Sequence, residues 1–184
     1  MAITDDLIQE ATRYLANTYT RLPVVLVRGK GARVWDSDGR EYLDFVSGIG
    51  VNGLGHCHPR VVAAIKGQAE RLLHVSNLYY IEPQVQLARL LCEGSFADRV
   101  FFCNSGAEAN EAAIKLARKH AKERSSSDRY EIITMRNSFH GRTLATVTAT
   151  AQEKYHQGFE PLVPGFKYVP FNDLKAVERA IDSH

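Results

Sequence analysis

The residues whose types and spacing could do chemistry fall in a few short stretches. The first is VFFCNSGAEANEAAIKLAR, residues 100–118, where an apolar run meets Asn104-Ser105-Gly106-Ala107 and an alanine-rich helical pattern begins at once. Side chains at that junction are almost absent, so backbone N–H groups are left open. Ser105 and Glu108 fit S-x-x-E, a capping box in which each side chain satisfies a backbone donor of the other. The box does not account for Gly106, because glycine in a first helical turn weakens the helix unless close backbone approach is needed. A helix starting at the carboxyl end of a parallel strand is also where α/β proteins bind anions. The residues therefore read equally as a plain helix cap and as a phosphate cup made by the N–H groups around Gly106 and Ala107. The two readings are compatible.

The stretch RNSFHGRT, residues 136–143, follows the next expected strand, so its side chains should open at the same edge of the sheet. Phe139 and His140 sit in a polar loop ending in Gly141. An aromatic in such a loop usually plugs the core; it can instead stack on a flat ligand. Arg142 is by default a solvated charge; alternatively it offers a planar fork for a carboxylate. GIGVNG, residues 48–53, matches G-x-G-x-x-G, but Leu54-Gly55-His56-Cys57-His58 intervene before the helix signal at Pro59, so the dinucleotide fingerprint fails. Those glycines point instead to backbone passing close to a ligand or to another chain. His56, Cys57 and His58 cannot all reach one ion without strain, and no second Cys/His cluster supports them, so no metal is expected. No G-x-S-x-G elbow is present, and Cys103, at an expected strand end, reads as a buried thiol rather than a nucleophile.

Positioning these residues requires a particular order of elements. Residues 7–14 read as a short helix. The segment 23–48 reads as extended pieces broken by turns, with Asp38-Gly39 as a hairpin signal between ARVWDS and REYLDFV. Pro59 suits a first helical turn, and EPQVQLARLLCEGS is a second helix ending near Gly94. The pattern then changes to alternation. Strand RVFFC leads to a helix from Gly106 to about Lys122, with Ala109, Ala113, Leu116 and Ala117 on one face and a solvated Glu111–Lys115 pair on the other. A polar loop RSSSDR follows, then strand YEIITMR, a short helix RTLATVTAT, strand FKYVPF and helix DLKAVERAIDS. Apolar, β-branched strands alternating with helices predict an α/β fold with a parallel sheet. Residues 1–55 do not share that pattern and are expected to form a separate small layer, with 56–184 as an incomplete larger domain.

Composition narrows the class. Net charge is +2 from 23 basic and 21 acidic residues, which gives no electrostatic footprint for nucleic acid. No apolar run approaches a membrane helix, the first residues do not resemble a signal peptide, and three cysteines fit reduced thiols in the cytoplasm.

NSGAEANEAAIKLAR followed by SFHGRT closely resembles the class III aminotransferases, pyridoxal-phosphate enzymes of fold type I. The resemblance runs from about Tyr19 to the end, and PVVLVRGKGARVWDSDGREYLDFVSGIGVNGLGHCHPRVVAAI is similar to the acetylornithine branch. It implies that Gly106 and Ala107, with Ser105 alongside, bind the phosphate of pyridoxal 5'-phosphate. Phe139 matches the aromatic stacked on the pyridine ring, with His140 beside it on the cofactor side. Arg142 matches the arginine that grips a substrate carboxylate, and Val51 and Asn52 resemble residues at the substrate mouth. The implied activity is amino transfer between N2-acetylornithine and 2-oxoglutarate in a homodimer. Succinylornithine, ornithine and 4-aminobutyrate are alternative donors, and a non-catalytic binding module is a reading of another class. The family's Schiff-base lysine and the aspartate at the pyridine nitrogen match no residue here. The chain is therefore expected to be a truncated first part of such an enzyme, inactive alone, with an unpaired sheet edge and uncovered apolar faces.

Overall fold

The computed structural model of the protein describes residues 2–125 and 129–182. Residues 126–128 of the expected polar loop and Ser183 of the expected last helix lie outside the described residues. The chain forms two compact units, Met1–Ile81 and Glu82–His184.

The first unit carries helix α1 (Ala2–Tyr14), strands β1 (Leu26–Lys30), β2 (Arg33–Asp36) and β3 (Glu41–Leu43), and helix α2 (Pro59–Ala69). The strands form an antiparallel sheet in sequence order, with Val34 opposite Gly29 on one side and Tyr42 on the other. The Asp38-Gly39 turn closes as expected because Asp36, nearly fully buried, accepts the Asp38 N–H (3.0 Å), the Arg40 N–H (2.8 Å) and the Tyr42 hydroxyl (2.6 Å). Pro59 opens α2, where its missing N–H costs nothing.

The glycines of this unit serve the chain itself. His56 and Gly31 exchange both backbone hydrogen bonds (2.8 and 2.9 Å), and a Cβ on Gly55 would lie 2.9 Å from the Gly31 Cα. Gly48 and Gly50 hold φ of 61° and 84° in a left-handed run that also includes Ser47 and Ile49.

The second unit contains α3 (Glu82–Glu93), α4 (Gly106–Ser125), β4 (Ile132–Met135), α5 (Leu144–Ala149), β5 (Phe166–Val169) and α6 (Leu174–Ala180). Strands β4 and β5 pair in parallel, Ile132 with Phe166 through Met135 with Val169, as the alternating pattern predicts. The expected strand over RVFFC is not formed. A strand exists through ladder bonds to a neighbour, no described segment offers one to Val100–Cys103, Phe101 is 72% exposed, and Cys103, expected to be buried at the strand end, is exposed as well. Helix α4 is also rotated from expectation. Its buried side centres on Ile114 and runs through Ala107, Asn110, Arg118 and Ala121, whereas Leu116 faces solvent. Alanines fix no phase, and the polar side chains are drawn inward by distant partners, Asn110 and Arg118 by backbone carbonyls and Glu111 by the Thr143 hydroxyl.

The core of this unit is unusual in being rich in threonine. Val147, Ala149, Val169 and Ala176 are buried together with Thr134, Thr146, Thr148 and Thr150. Buried hydroxyls need partners, and those of Thr146, Thr148 and Thr150 have them, whereas Thr134 Oγ1 has none among the described residues. Thr148 Oγ1 donates to the Leu144 carbonyl (2.8 Å) and accepts the Val163 N–H (3.1 Å), and its own carbonyl accepts the Tyr168 hydroxyl (2.7 Å). Short helix α5 is therefore a hub whose side chains fix the loops around it. Thr148→Val keeps the volume but strands the Val163 N–H. We expect a loss of about 1–3 kcal/mol in chemical unfolding of the complete protein, with Thr148→Ser costing less.

Candidate functional site

The site is built where α4 begins beside the loop that leaves β4. At the start of α4, Ser105 Oγ accepts the Glu108 N–H (3.1 Å), as a capping box requires. The reciprocal half is displaced by one residue. Glu108 accepts the Asn104 N–H (2.6 Å) and the Asn104 side-chain amide (3.3 Å), not the Ser105 N–H. Those Asn104 donors hold the Glu108 carboxyl below its ordinary pKa. The N–H groups of Ser105, Gly106 and Ala107 find no acceptor among the described residues. Gly106 does not have a positive φ, and a Cβ placed on it would meet nothing within 4 Å. Neither chain geometry nor crowding within the chain explains glycine there. What the glycine leaves is open space over unpaired donors at the positive end of a 20-residue helix.

Leaving β4, residues 137–142 have no regular structure, and their backbone is held from outside. The Asn137 N–H reaches the Ala151 carbonyl (3.0 Å), Gln152 Nε2 reaches the Ser138 carbonyl (2.8 Å), and the His140 N–H reaches Thr150 Oγ1 (2.8 Å). Asn110 Nδ2 of α4 donates to the His140 carbonyl (2.7 Å), and Thr143 Oγ1 donates to Glu111 Oε1. Glu111, expected in a solvated pair with Lys115, thus ties α4 to this loop. At Gly141 the two segments touch. Its φ is 141°, and a Cβ there would lie 2.7 Å from the Ala107 Cβ and 2.6 Å from Thr146 Oγ1, so only glycine fits.

This clamp presents Phe139 and Arg142 outward. Phe139 is 61% exposed and does not plug the core. The Arg142 guanidinium lies 4.9 Å from the Phe139 ring centroid and 3.9 Å from that of Tyr155. Lys154 lies 4.6 Å from the same Tyr155 ring. Side-chain hydrogen bonding by Arg142, then by Lys154, lowers the pKa of the Tyr155 hydroxyl, and the charge of Lys154 adds to it. His140 turns inward, its Nδ1 3.3 Å from Ser138 Oγ, and borders a groove of about 590 Å³ at the carboxyl end of β4 with Met135, Arg136 and Phe171. None of Ser105, Gly106, Ala107, Phe139 or Arg142 lines that groove, so these residues form an open face. Val51 and Asn52 belong to the other unit, just after the left-handed run of residues 47–50, with Val51 exposed. Elsewhere in that unit His56 Nε2 lies 2.6 Å from Asp44 Oδ2, and among the described residues no group of three metal-ligating side chains is assembled.

A family model for aminotransferase class-III matches residues 14–183. The chain belongs to the class-III aminotransferases. It is 62% identical over 170 residues to acetylornithine aminotransferase of Caldanaerobacter subterraneus, covering 92% of this chain and 43% of that protein. Among solved structures, ornithine aminotransferase of Toxoplasma gondii superposes with a TM-score of 0.92 at 37% identity, covering 96% of this chain and 42% of the other. One structure of that enzyme shows partial occupancy of pyridoxal phosphate at its active site. N-acetylornithine aminotransferase of Stenotrophomonas maltophilia matches with a TM-score of 0.74 at 43% identity, covering 95% and 41%. The chain therefore spans about two fifths of the length of these class-III relatives.

Sequence reasoning missed Asn110, Gln152, Thr150 and Tyr155. S-x-x-E and F-H-G-R mark their own positions, whereas these four act through backbone N–H or carbonyl groups or ring faces that only the fold brings near. The Glu108 link carries a pH signature. A carboxylate whose pKa is lowered by folding stabilises the fold above its unfolded value, near 4.5, and that contribution disappears as pH falls through the lower folded value. The melting-temperature difference between the wild type and Glu108→Gln should be full at pH 7 and shrink progressively below pH about 4.5. A difference that stays constant to pH 3 contradicts the linkage.

Proposed function

We propose that the complete protein transfers an amino group between N2-acetylornithine and 2-oxoglutarate with pyridoxal phosphate. In this reading Ser105, Gly106 and Ala107 hold the cofactor phosphate, and Phe139 and His140 flank its ring. Arg142 takes a substrate carboxylate, and Val51 and Asn52 stand at the substrate mouth. The observation that carries the donor assignment is 62% identity to an acetylornithine aminotransferase over 92% of the chain. Ornithine is the second reading, favoured by the closer superposition on an ornithine aminotransferase, 0.92 against 0.74.

The donor set suits the phosphate. Adjacent unpaired N–H groups at a helix N-terminus, with space left by Gly106, match a dianion's need for charge-assisted acceptance. When bound, the cofactor acts as an electron sink for the carbon that loses a proton. The residues of this chain hold and orient. The start of α4 fixes the anionic end, the exposed Phe139 offers a flat apolar face, and Arg142, without an acidic partner among the described residues, presents in-plane donors to a carboxylate.

A homodimer in the cytoplasm completes the proposal. Helices α2 and α3 carry no buried residue, and Ile49 in the left-handed run and Phe45 and Val51 beside it are 83–93% exposed. Amphipathic helices and apolar turns of this kind need covering by further protein. No described helix is long and apolar enough to cross a membrane, and Cys57, Cys92 and Cys103 are free thiols.

In the complete protein, Gly106→Val should weaken pyridoxal-phosphate binding at least about tenfold, the scale of one charge-assisted hydrogen bond, while the cofactor-free protein melts near the wild-type temperature. Arg142→Lys keeps the charge and loses the fork. It should raise KM for N2-acetylornithine about tenfold with the cofactor absorbance unchanged. An unchanged KM removes Arg142 from the site. A higher kcat/KM with ornithine than with its N2-acetyl form would decide for the second reading.

A further inference from the structure

Arg142 and Arg118 offer an instructive contrast. Both guanidinium groups lie against a pair of aromatic rings. Arg118 is 5.8 Å from the Tyr130 centroid and 5.6 Å from that of Phe166. Its donors are already used, Nε on the Tyr130 carbonyl (3.0 Å) and an Nη on the Pro164 carbonyl (2.8 Å), so it serves the fold. Arg142 sits closer to its rings, 3.9 Å from Tyr155 and 4.9 Å from Phe139, and has no carbonyl or carboxylate hydrogen bond among the described residues. Stacking engages the face of a guanidinium. The N–H groups lie in its plane and stay available at the edge.

Tyr155 is itself held firmly. Its N–H donates to the Gln152 carbonyl (2.9 Å) in a short turn, Glu153–Tyr155, that leaves α5. The next residue, His156, places Nε2 2.7 Å from the Thr150 carbonyl and 3.0 Å from that of Val147, both on the buried hub. The ring is half-buried. A fixed aromatic plate therefore limits the swing of a long side chain that starts in solvent. Holding such a side chain beforehand removes rotamer entropy that binding would otherwise lose.

We propose that Tyr155 is a positioning residue that holds the Arg142 guanidinium by its face, so that its in-plane fork is set for a carboxylate. This rests on the reading that Arg142 meets a substrate carboxylate, and it adds a residue that acts only through Arg142. The ring face, 3.9 Å from the guanidinium, supplies most of the effect, so phenylalanine should largely replace tyrosine.

The test uses the complete protein with Arg142→Met, Tyr155→Phe, Tyr155→Leu and the double variant Arg142→Met/Tyr155→Leu. Two quantities are read: KM and kcat with 2-oxoglutarate, and the Kd of glutarate, a non-reacting dicarboxylate, measured by calorimetry on cofactor-free protein. Tyr155→Leu should raise KM and Kd about fivefold, within the range of a cation–π contact, with kcat within about twofold and cofactor absorbance unchanged. Tyr155→Phe should stay near the wild type. In the Arg142→Met background, Tyr155→Leu should add nothing. If Arg142→Met raises both constants and Tyr155→Leu does not, the positioning role is wrong and the carboxylate reading stands. If Tyr155→Leu has its full effect without Arg142, or if Tyr155→Phe loses as much as Tyr155→Leu, the inference is overturned. If Arg142→Met changes neither constant, the carboxylate reading fails and the positioning role with it. Should Tyr155→Leu not fold, Tyr155→His tests the same weakening of the ring face.

Discussion

A loop with no regular structure must still find partners for its backbone polar groups, and four of the bonds that residues 137–142 make fall on neighbours that are already fixed. The Ala151 carbonyl, Gln152, Thr150 and Asn110 each take one group. Thr150 is fully buried in the segment that ends α5, and Asn110 sits one turn inside α4. The loop is thereby locked to two helices at once. Gly141 closes the arrangement, because its missing side chain lets the loop lie directly on Ala107. Phe139 and Arg142 project from a frame whose position is set by hydrogen bonds they do not make.

The same constraint explains why the functional face can be so lightly built. At the start of α4, Glu108 is taken up by Asn104, which leaves the neighbouring N–H groups unpaired. On the loop side, Arg142 is steadied by rings rather than by carboxylates. In both places donors are kept free by assigning other partners the work of holding the backbone. Unpaired donors cost stability when buried, and here they are exposed, where water meets them until a ligand arrives.

Much of this was legible in the sequence because local chemistry fixed it. Asp38-Gly39 closed its hairpin, Pro59 opened its helix, and the β-branched runs before residues 136 and 170 became paired parallel strands. The S-x-x-E pattern was seen, although its reciprocal bond moved from Ser105 to Asn104, a shift of one residue that no pattern encodes. Other features were not readable for physical reasons. RVFFC has every propensity of a strand, but pairing is a property of neighbours, and none is described beside it. Thr146, Thr148 and Thr150 of RTLATVTAT are polar by type and are nevertheless buried, because their hydroxyls bond within the helix and those of Thr148 and Thr150 also take the distant N–H groups of Val163 and His140. Helix α4 is alanine-rich, so its phase was set by Asn110, Glu111 and Arg118 reaching for distant groups rather than by an apolar stripe.

The central claim is that the start of α4 and the loop after β4 form one anion-and-ring site. A crystal structure of the complete protein with pyridoxal phosphate tests it most directly. The account predicts phosphate oxygens within about 3.2 Å of the N–H groups of Ser105, Gly106 and Ala107, the pyridine ring against Phe139, and Gly141 still seated on Ala107. A phosphate bound elsewhere, with those N–H groups facing only solvent, would contradict it.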